Sequence, residues 1–265
     1  VGLSKVARVA EVFARRVQTP DGLAQDVARA LQQGASPRGV RVVVAARGAA
    51  GVDSTVAALR AAGADAHGVV ADMGDPAGPA RALAAAQEAL GAVDIVVANA
   101  GGPPPGPFMG SDDAGWDLAV QQNLLGTVRL MRAALPAMRD RGWGRIVTIT
   151  STSVREVIDG LALSNATRAG VAGAVRTVAR EVAADGITVN NVLPGPILTD
   201  RMRELLSAAP DLEAAIAERG ARNPTGRVGD PAEVGDLVAF LSSERAAFIT
   251  GASVLIDGGE SRVVG

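Results

Sequence analysis

Hydrophobic and polar residues alternate along the chain in two kinds of segment. Short runs rich in Val, Ile and Ala occupy six places: Val40–Ala46, His67–Ala71, Val93–Ala98, Arg145–Thr150, Ile187–Val192 and Ser253–Ile256. Such nearly continuous apolar runs are typical of strands buried on both faces of a parallel sheet. Longer Ala-, Leu- and Arg-rich segments between them predict helices at about 52–62, 77–90, 112–139, 164–184, 201–219 and 231–243.

Glycine and proline mark the boundaries of these elements. Four glycines follow a predicted helix and precede a strand, where a left-handed C-cap favours glycine: Gly63, Gly91, Gly142 and Gly186. Pro136 lies inside the 112–139 segment, and we expect it to kink or shorten that helix. The alternation of strand and helix predicts an α/β fold, a doubly wound parallel sheet formed by residues 1–265 as a single domain.

Composition narrows the class of protein. The 265 residues are 48% hydrophobic and 20% charged, with a net charge of −2, so we expect no nucleic-acid partner and no binding to an anionic membrane. No apolar run approaches the roughly 20 residues of a membrane helix. Val1 to Arg16 lacks the continuous apolar stretch of a signal peptide, and we therefore expect a cytoplasmic protein.

Missing residue types exclude several mechanisms. The chain has no cysteine and no tyrosine, and Lys5 is its only lysine. A thiol nucleophile, a phenolic acid and a lysine remote from the N-terminus are therefore excluded. The single histidine, His67, leaves little room for imidazole catalysis, and we expect no metal site.

Unusual residues cluster where two of the predicted strands end, at the edge where such sheets bind ligands. Asn99, Ala100 and Gly101 would let a flat ligand approach the backbone, although the same residues also suit an ordinary turn. The Ser151 hydroxyl would either donate a hydrogen bond to a carbonyl oxygen or cap the strand end.

Two further strand ends carry candidate ligand-binding groups. The loop with Pro194, Gly195, Ile197 and Thr199 would present backbone groups and a hydroxyl to a ligand, with Asp200 capping the next helix, or would form a rigid turn. Arg47 stands where the adenosine ribose lies in a dinucleotide fold. An arginine there favours a 2′-phosphate, the alternative being a solvated side chain.

From about Val40 to Gly259 the chain resembles the short-chain dehydrogenase/reductase family, in particular its acyl-carrier-protein-reductase-like branch. The resemblance is carried by Asn99-Ala100-Gly101, Asn123, Ser151, Pro194-Gly195, the 226–233 segment and Thr250-Gly251 with Asp257-Gly258-Gly259. It implies a Rossmann-like sheet with helices on both faces, NADP(H) or NAD as cofactor, hydride transfer to or from the carbonyl or alcohol of a small hydrophobic substrate, and a homo-oligomer, either dimer or tetramer.

The chain departs from the family at its catalytic pair. The family's tyrosine falls thirteen residues after the serine and its lysine four residues later, and these positions hold Ser164 and Arg168. Serine is a poor direct general acid, while arginine can hold ribose hydroxyls or stabilise an alkoxide but cannot shuttle a proton. By resemblance, Asn123 bends its helix and positions a water that would supply the proton. Ser164 also suits a helix N-cap.

The second departure is the first strand–helix loop. Lys5–Val9 resembles the family's first strand, but no glycine follows until Gly22, which resembles the later half of the glycine motif and is a candidate cofactor contact. Residues 10–21 match nothing in the family, and they are either a helical insertion or the scar of a reading-frame change. Without the glycines we expect weakened or rearranged cofactor binding.

Two other features match the family, each with a plain structural alternative. Asp72 and Met73 resemble its adenine contact, and they equally suit a turn that caps a helix. Small residues between Ala169 and Ala174 resemble a helix that the family uses as a dimer face, and they would equally pack on this chain's own sheet.

Three functions remain open at this point. The first is an oxidoreductase that uses NADP(H), Ser151, Arg168 and a bound water. The second is a catalytically impaired binding or partner protein of the same fold, as the two departures suggest. The third is a non-redox enzyme, such as a dehydratase or isomerase, that reuses the pocket.

Overall fold

The computed structural model describes residues 8–14 and 41–263, and their strands form one parallel sheet. The seven strands are β1 (Arg8–Ala14), β2 (Arg41–Ala46), β3 (Ala66–Val70), β4 (Ile95–Ala100), β5 (Gly144–Ile149), β6 (Ile187–Pro194) and β7 (Ser253–Ile256). Their order across the sheet is β3-β2-β1-β4-β5-β6-β7, and every neighbouring pair is parallel. The predicted Rossmann-like, doubly wound sheet is therefore confirmed.

The helices of the described ranges follow the predicted order. They are α1 (Ala49–Ala61), α2 (Gly78–Leu90), α3 (Asp113–Ala119), α4 (Gly126–Arg141), α5 (Ala162–Val182), α6 (Asp200–Leu206), α7 (Leu212–Ala221) and α8 (Pro231–Ser242). The predicted 201–219 helix is two short helices. The predicted 112–139 helix is α3 and α4 joined through a π-helical segment, Val120–Leu125.

Of the two expected effects of Pro136, a kink or a shorter helix, the shortening is wrong, because α4 continues through Pro136 to Arg141. Proline removes only one intrahelical hydrogen bond, and the helix has enough others to continue. The glycine boundaries are confirmed: Gly63, Gly91, Gly142 and Gly186 all have positive φ. This is the backbone region where a Cβ is strained.

The helical interpretation of residues 10–21 is wrong for residues 10–14. They belong to β1, an interior strand that lies between β2 and β4, with Val9 opposite both Val42 and Ile95. A short apolar run fits the periodicity of a helix and that of a strand alike. Here β1 pairs with a strand on each side, and this pairing makes residues 10–14 a strand. Residues 15–21 and Gly22, including the glycine-poor loop, lie outside the described residues.

Two hydrophobic clusters pack on opposite faces of the sheet. Alternate residues of one strand divide between them: Ile95 and Val97 of β4 join α1 and α8, while Val96 joins α2, α4 and α5. Since both faces of a strand are covered, its apolar residues run without alternation. None of the helices in the described ranges is long and apolar enough to cross a bilayer.

Strand order reverses direction at β1. From β1 the chain proceeds to β2 and β3 on one side, and then β4 begins the other half of the sheet. In doubly wound sheets the connecting loops diverge at this point and leave a crevice beyond the carboxyl ends of the strands.

Candidate active site

A cavity of about 740 Å³ opens beyond the carboxyl ends of β2, β4, β5 and β6. Ten of the residues predicted for the site line it: Asn99, Ala100, Gly101, Ser151, Ser164, Arg168, Pro194, Gly195, Ile197 and Thr199. They come from four separate stretches of the chain. The parallel arrangement brings them together because every strand ends at the same edge.

Ser151 occupies the turn immediately after β5. Its Oγ accepts a hydrogen bond from the Ser153 amide at 3.1 Å and so caps the short 3-10 turn Thr152–Val154. Accepting this bond leaves the hydroxyl proton available to a second acceptor. Capping and ligand binding, which the sequence presents as alternatives, are compatible in this geometry.

The backbone beneath Ser151 is fixed by a buried amide. The hydroxyls of Thr148 and Thr150 each donate to Asn191 Oδ1 at 2.8 Å, which ties the end of β5 to β6. Asn191 is fully buried, so these hydrogen bonds are shielded from water. The strand end that presents Ser151 is therefore held rigidly.

Ser164 and Arg168 form a hydrogen-bonded pair one turn apart on α5. The Arg168 Nε donates to Ser164 Oγ at 3.0 Å, and Nη1 approaches the Ile149 carbonyl at 3.5 Å. The N-cap interpretation of Ser164 is wrong, since the helix begins at Ala162 with Leu161 at the N-cap. Ser164 instead lies buried inside the first turn, with its proton free to donate into the cavity.

Arg168 carries a positive charge in a half-buried position. Burial, and secondly the neighbouring charge of Arg201, lower the pKa of Arg168 to about 10. No carboxylate of the described residues forms an ion pair with Arg168. A cation that is partly withdrawn from water and has no counter-ion among the described residues costs free energy, so this side chain is poised to bind an electron-rich group.

The loop after β6 packs tightly on β7. A Cβ added to Gly195 would lie 2.8 Å from Asp257 Cα, so only glycine fits there. The Thr199 hydroxyl accepts from the Met202 amide at 3.3 Å and caps α6. The expectation that Asp200 is this cap is wrong, because Asp200 is already the first helical residue.

Asn123 lies inside the π-helical segment and does not line the cavity. Its Nδ2 donates to the Ala119 carbonyl at 3.2 Å. Its Oδ1 is buried and accepts no hydrogen bond from the described residues. The resemblance to a helix-bending asparagine agrees with this irregular segment.

Three predicted cofactor contacts are not brought to the cavity lining. Met73 is buried in the core with its carbonyl against Gly126, where an added Cβ would come within 2.6 Å. Asp72 Oδ1 accepts from the Gly74 amide at 2.8 Å, as expected for a turn. Arg47 lies between two lining residues, Ala46 and Gly48, and is not itself among them.

Several lining residues were missed by the sequence reasoning. Gly48, Gly51 and Thr55 follow β2, Arg201 lies in the first turn of α6, and the segment 260–262 reaches the cavity from the C-terminal side. Arg201 follows a strand end, a signal that could have identified it. The 260–262 segment carries no comparable signal, since its position depends on the tail folding back from β7.

Comparison with known proteins places these features in a family. A family model described as enoyl-(acyl carrier protein) reductase matches residues 17–261. A 3-oxoacyl-[acyl-carrier-protein] reductase of Escherichia coli (strain K12) is 35% identical over 247 residues, which cover 93% of this chain and 98% of that protein.

Solved structures agree with the sequence match. A variant of actinorhodin polyketide ketoreductase with NADPH superimposes with a TM-score of 0.88 at 33% identity, covering 97% of this chain and 98% of that one. L-sorbose reductase from Gluconobacter frateurii, in complex with NADPH and L-sorbose, gives 0.87 at 25% identity with 98% of both chains covered. The chain, with its sheet order, its serine after β5 and its matched length, belongs to the short-chain dehydrogenase/reductase family.

Proposed function

We propose that this protein transfers a hydride between NADP(H) and the carbonyl or alcohol group of a hydrophobic substrate. The observation that carries the proposal is the convergence of Ser151, Ser164 and Arg168 on one cavity at the ends of β5 and β6. The relatives add support, since two of the similar structures contain NADPH and the matched relatives are named reductases.

The described residues fit a nicotinamide dinucleotide. Asn99, Ala100 and Gly101 offer small side chains and accessible backbone at the end of β4, where a flat group can approach closely. Arg168 would hold ribose hydroxyls, and Arg47, directly after β2, would favour a 2′-phosphate and hence NADP(H) over NAD. When bound, NADPH supplies the hydride that reduces the carbonyl carbon.

The chain's own residues would manage the charge that develops on the substrate oxygen. Ser151 donates a hydrogen bond to that oxygen, and the Arg168 cation stabilises the alkoxide. Ser164 is too weak an acid to protonate it directly, so the proton comes from water. The buried Oδ1 of Asn123 is the kind of acceptor that a structural water satisfies.

The test is the oxidation of NADPH with a panel of hydrophobic ketones. Removing the Ser151 hydroxyl in Ser151→Ala removes one donor to the developing oxyanion, and we expect kcat to fall by about 100-fold or more. Ser54→Ala removes an exposed hydroxyl on α1 outside the cavity lining and serves as the matched control. Turnover that is indifferent to Ser151→Ala would refute the proposed mechanism.

One observation favours a second function, that of a catalytically impaired binding protein. Ser164 stands where the family has a tyrosine, and Arg168, to which it is hydrogen-bonded, stands where the family has a lysine. Calorimetric titration with NADPH and the ketone assay together separate the two functions. Binding of NADPH without turnover of any ketone supports the impaired protein, whereas turnover supports the enzyme.

The proposal includes a homo-oligomer formed through α5. Val171 and Val175 face this chain's own core, while Ala169 and Gly173 are exposed on another side of the helix. A Cβ at Gly173 would meet no atom of the described residues within 4 Å, which leaves room for the close approach of a second helix.

A further inference from the structure

Two guanidinium groups converge on one point at the cavity wall. The position that a Cβ would occupy on Gly102 lies 3.5 Å from Arg201 Nε, 3.7 Å from Arg201 Nη2 and 3.8 Å from Arg168 Nη2. Both arginines line the cavity. The wall beside the end of β4 therefore presents two like charges, an arrangement that costs free energy unless an anion lies between or beside them.

Neighbouring groups fix the direction of Arg201. Its Nη2 donates to the Pro103 carbonyl at 3.0 Å, and its Nη1 pairs with Glu204 Oε2 at 3.0 Å. Glu204 is more than half exposed, so this ion pair is screened by water and neutralises Arg201 only weakly. The guanidinium is thus held in place while Nε remains directed toward Gly102.

The cofactor's 2′-phosphate does not account for this pair. Arg47, the candidate for a 2′-phosphate, follows β2 in the other half of the sheet, whereas Arg201 follows β6. In the proposed mechanism Arg168 meets ribose hydroxyls and the reacting oxygen, both of which lie at the nicotinamide end. We therefore assign the anion beside Arg201 to the substrate, and an unchanged NADPH affinity in the variant described below separates this assignment from a contact with the cofactor's pyrophosphate.

We propose that the cavity selects a ketone that carries a carboxylate, bound by Arg201 beside Arg168. This inference rests on the proposed function and deepens it by naming the substrate class. Arginine forms two parallel hydrogen bonds with a carboxylate, which orients the substrate as well as attracting it. The carboxylate also supplies the counter-charge that the half-buried Arg168 lacks among the described residues.

The experiment compares oxo acids with their uncharged esters. Pyruvate, acetoacetate and levulinate place the carboxylate at three distances from the ketone, and each is assayed beside its methyl ester with NADPH. Charge-assisted hydrogen bonds predict that at least one acid exceeds its ester in kcat/KM by about ten- to hundredfold. A phosphonate analogue, 2-oxopropylphosphonate, distinguishes a carboxylate site from a general anion site, and we expect it to be the poorer substrate.

Two variants assign the preference to Arg201. We expect Arg201→Gln to abolish the preference for the acid over the ester, without a comparable loss of NADPH affinity. Arg203→Gln lies on the same helix, removes a surface ion pair with Glu213 and is outside the cavity lining, so it should retain the preference. No acid exceeding its ester, or equal changes in both variants, would overturn the inference.

Direct binding separates this inference from the proposed function. Calorimetric titration of the same acids and esters needs no turnover, so it decides the carboxylate site even if no ketone is reduced. Binding of an acid that Arg201→Gln abolishes and Arg203→Gln preserves supports the site. The absence of binding by all three acids contradicts it, whatever the activity with neutral ketones.

Discussion

Ser164 and Arg168 stand at the positions where the family has a tyrosine and a lysine. A hydroxyl and a guanidinium therefore replace a phenol and an amine, and the chemistry available at each position changes. Ser164 and Arg168 lie one turn apart on α5 and form a hydrogen bond of 3.0 Å, so the pair persists as a structural unit. The guanidinium keeps its charge across the neutral range, whereas the serine hydroxyl hardly ionises there. The site therefore stabilises negative charge well and supplies protons poorly.

The charge of Arg168 predicts an unusual pH dependence. Burial lowers the pKa of Arg168 to about 10, so its charge is present below that pH and is lost as pH rises through it. We expect kcat/KM to fall above about pH 10. Because the pKa is lowered in the folded protein, charging Arg168 opposes folding below pH 10, and this cost disappears between there and the ordinary arginine value.

A pH–rate profile of the wild type and Arg168→Lys checks this prediction. A buried lysine loses its proton at a lower pH than a buried arginine, so the fall should move to lower pH in the variant. Identical profiles for the two proteins would show that residue 168 does not carry the charge on which activity depends.

Sequence reasoning identified single residues where the chemistry was visible in the residue type. Ser151, Ser164 and Arg168 follow from their spacing within a family pattern, and all three line the cavity. Asp72 and Met73 matched a pattern equally well but lie in a turn and in the core. Sequence spacing gives the position along the chain, whereas the direction of a side chain depends on packing.

Among the secondary-structure elements, the loop that follows β6 packs closely against the residue that follows β7. The backbone at Gly195 packs against Asp257, whose carboxylate in turn accepts hydrogen bonds from the Gly259 and Ser261 amides. The loop after β6 and the C-terminal tail are thus held together at the cavity wall.

Substituting Gly195→Ala should destabilise the protein. The new Cβ would overlap Asp257, and displacing backbone costs about 1–3 kcal/mol. Gly51→Ala on α1 is the control, because its Cβ would meet no atom of the described residues within 4 Å and alanine favours a helix by up to about 1 kcal/mol. Urea denaturation measures both, and equal stability of the two variants would contradict the close approach.

Element boundaries were predicted where local chemistry sets them. Glycines with positive φ mark the helix ends at Gly63 and Gly142 as expected. The strand character of residues 10–14 and the π-helical segment 120–125 were missed. Both depend on neighbours distant in sequence: β1 on pairing with β2 and β4, the π-helical segment on packing against α5.

At the scale of the whole molecule, the fold was predictable because the pattern is repeated. Six apolar runs with helices between them leave few alternatives to a doubly wound parallel sheet. The cavity was predictable in place, since such sheets bind ligands at the switch in strand order. The presence of Arg201 in the cavity was not predictable, because no local sequence pattern indicates which side chains from different loops lie close together.

The exposed side of α5 predicts self-association. We expect light scattering after size-exclusion chromatography to show more than one copy of the chain. Gly173→Arg places a large charge where a second helix would approach and should yield the monomer. Ala61→Arg, on an exposed position of α1, should leave assembly unchanged. A monomeric wild type would contradict this part of the account.

We propose that a cavity without a catalytic tyrosine or lysine still supports hydride transfer from NADPH. Incubation with NADPH that carries deuterium at both positions of nicotinamide C4, followed by mass spectrometry of the alcohol formed from a ketone, tests it most directly. The account predicts one deuterium on the carbinol carbon, at a rate that falls sharply in Ser151→Ala. Intact NADPH and unlabelled ketone after prolonged incubation with every ketone and oxo acid tried would contradict it.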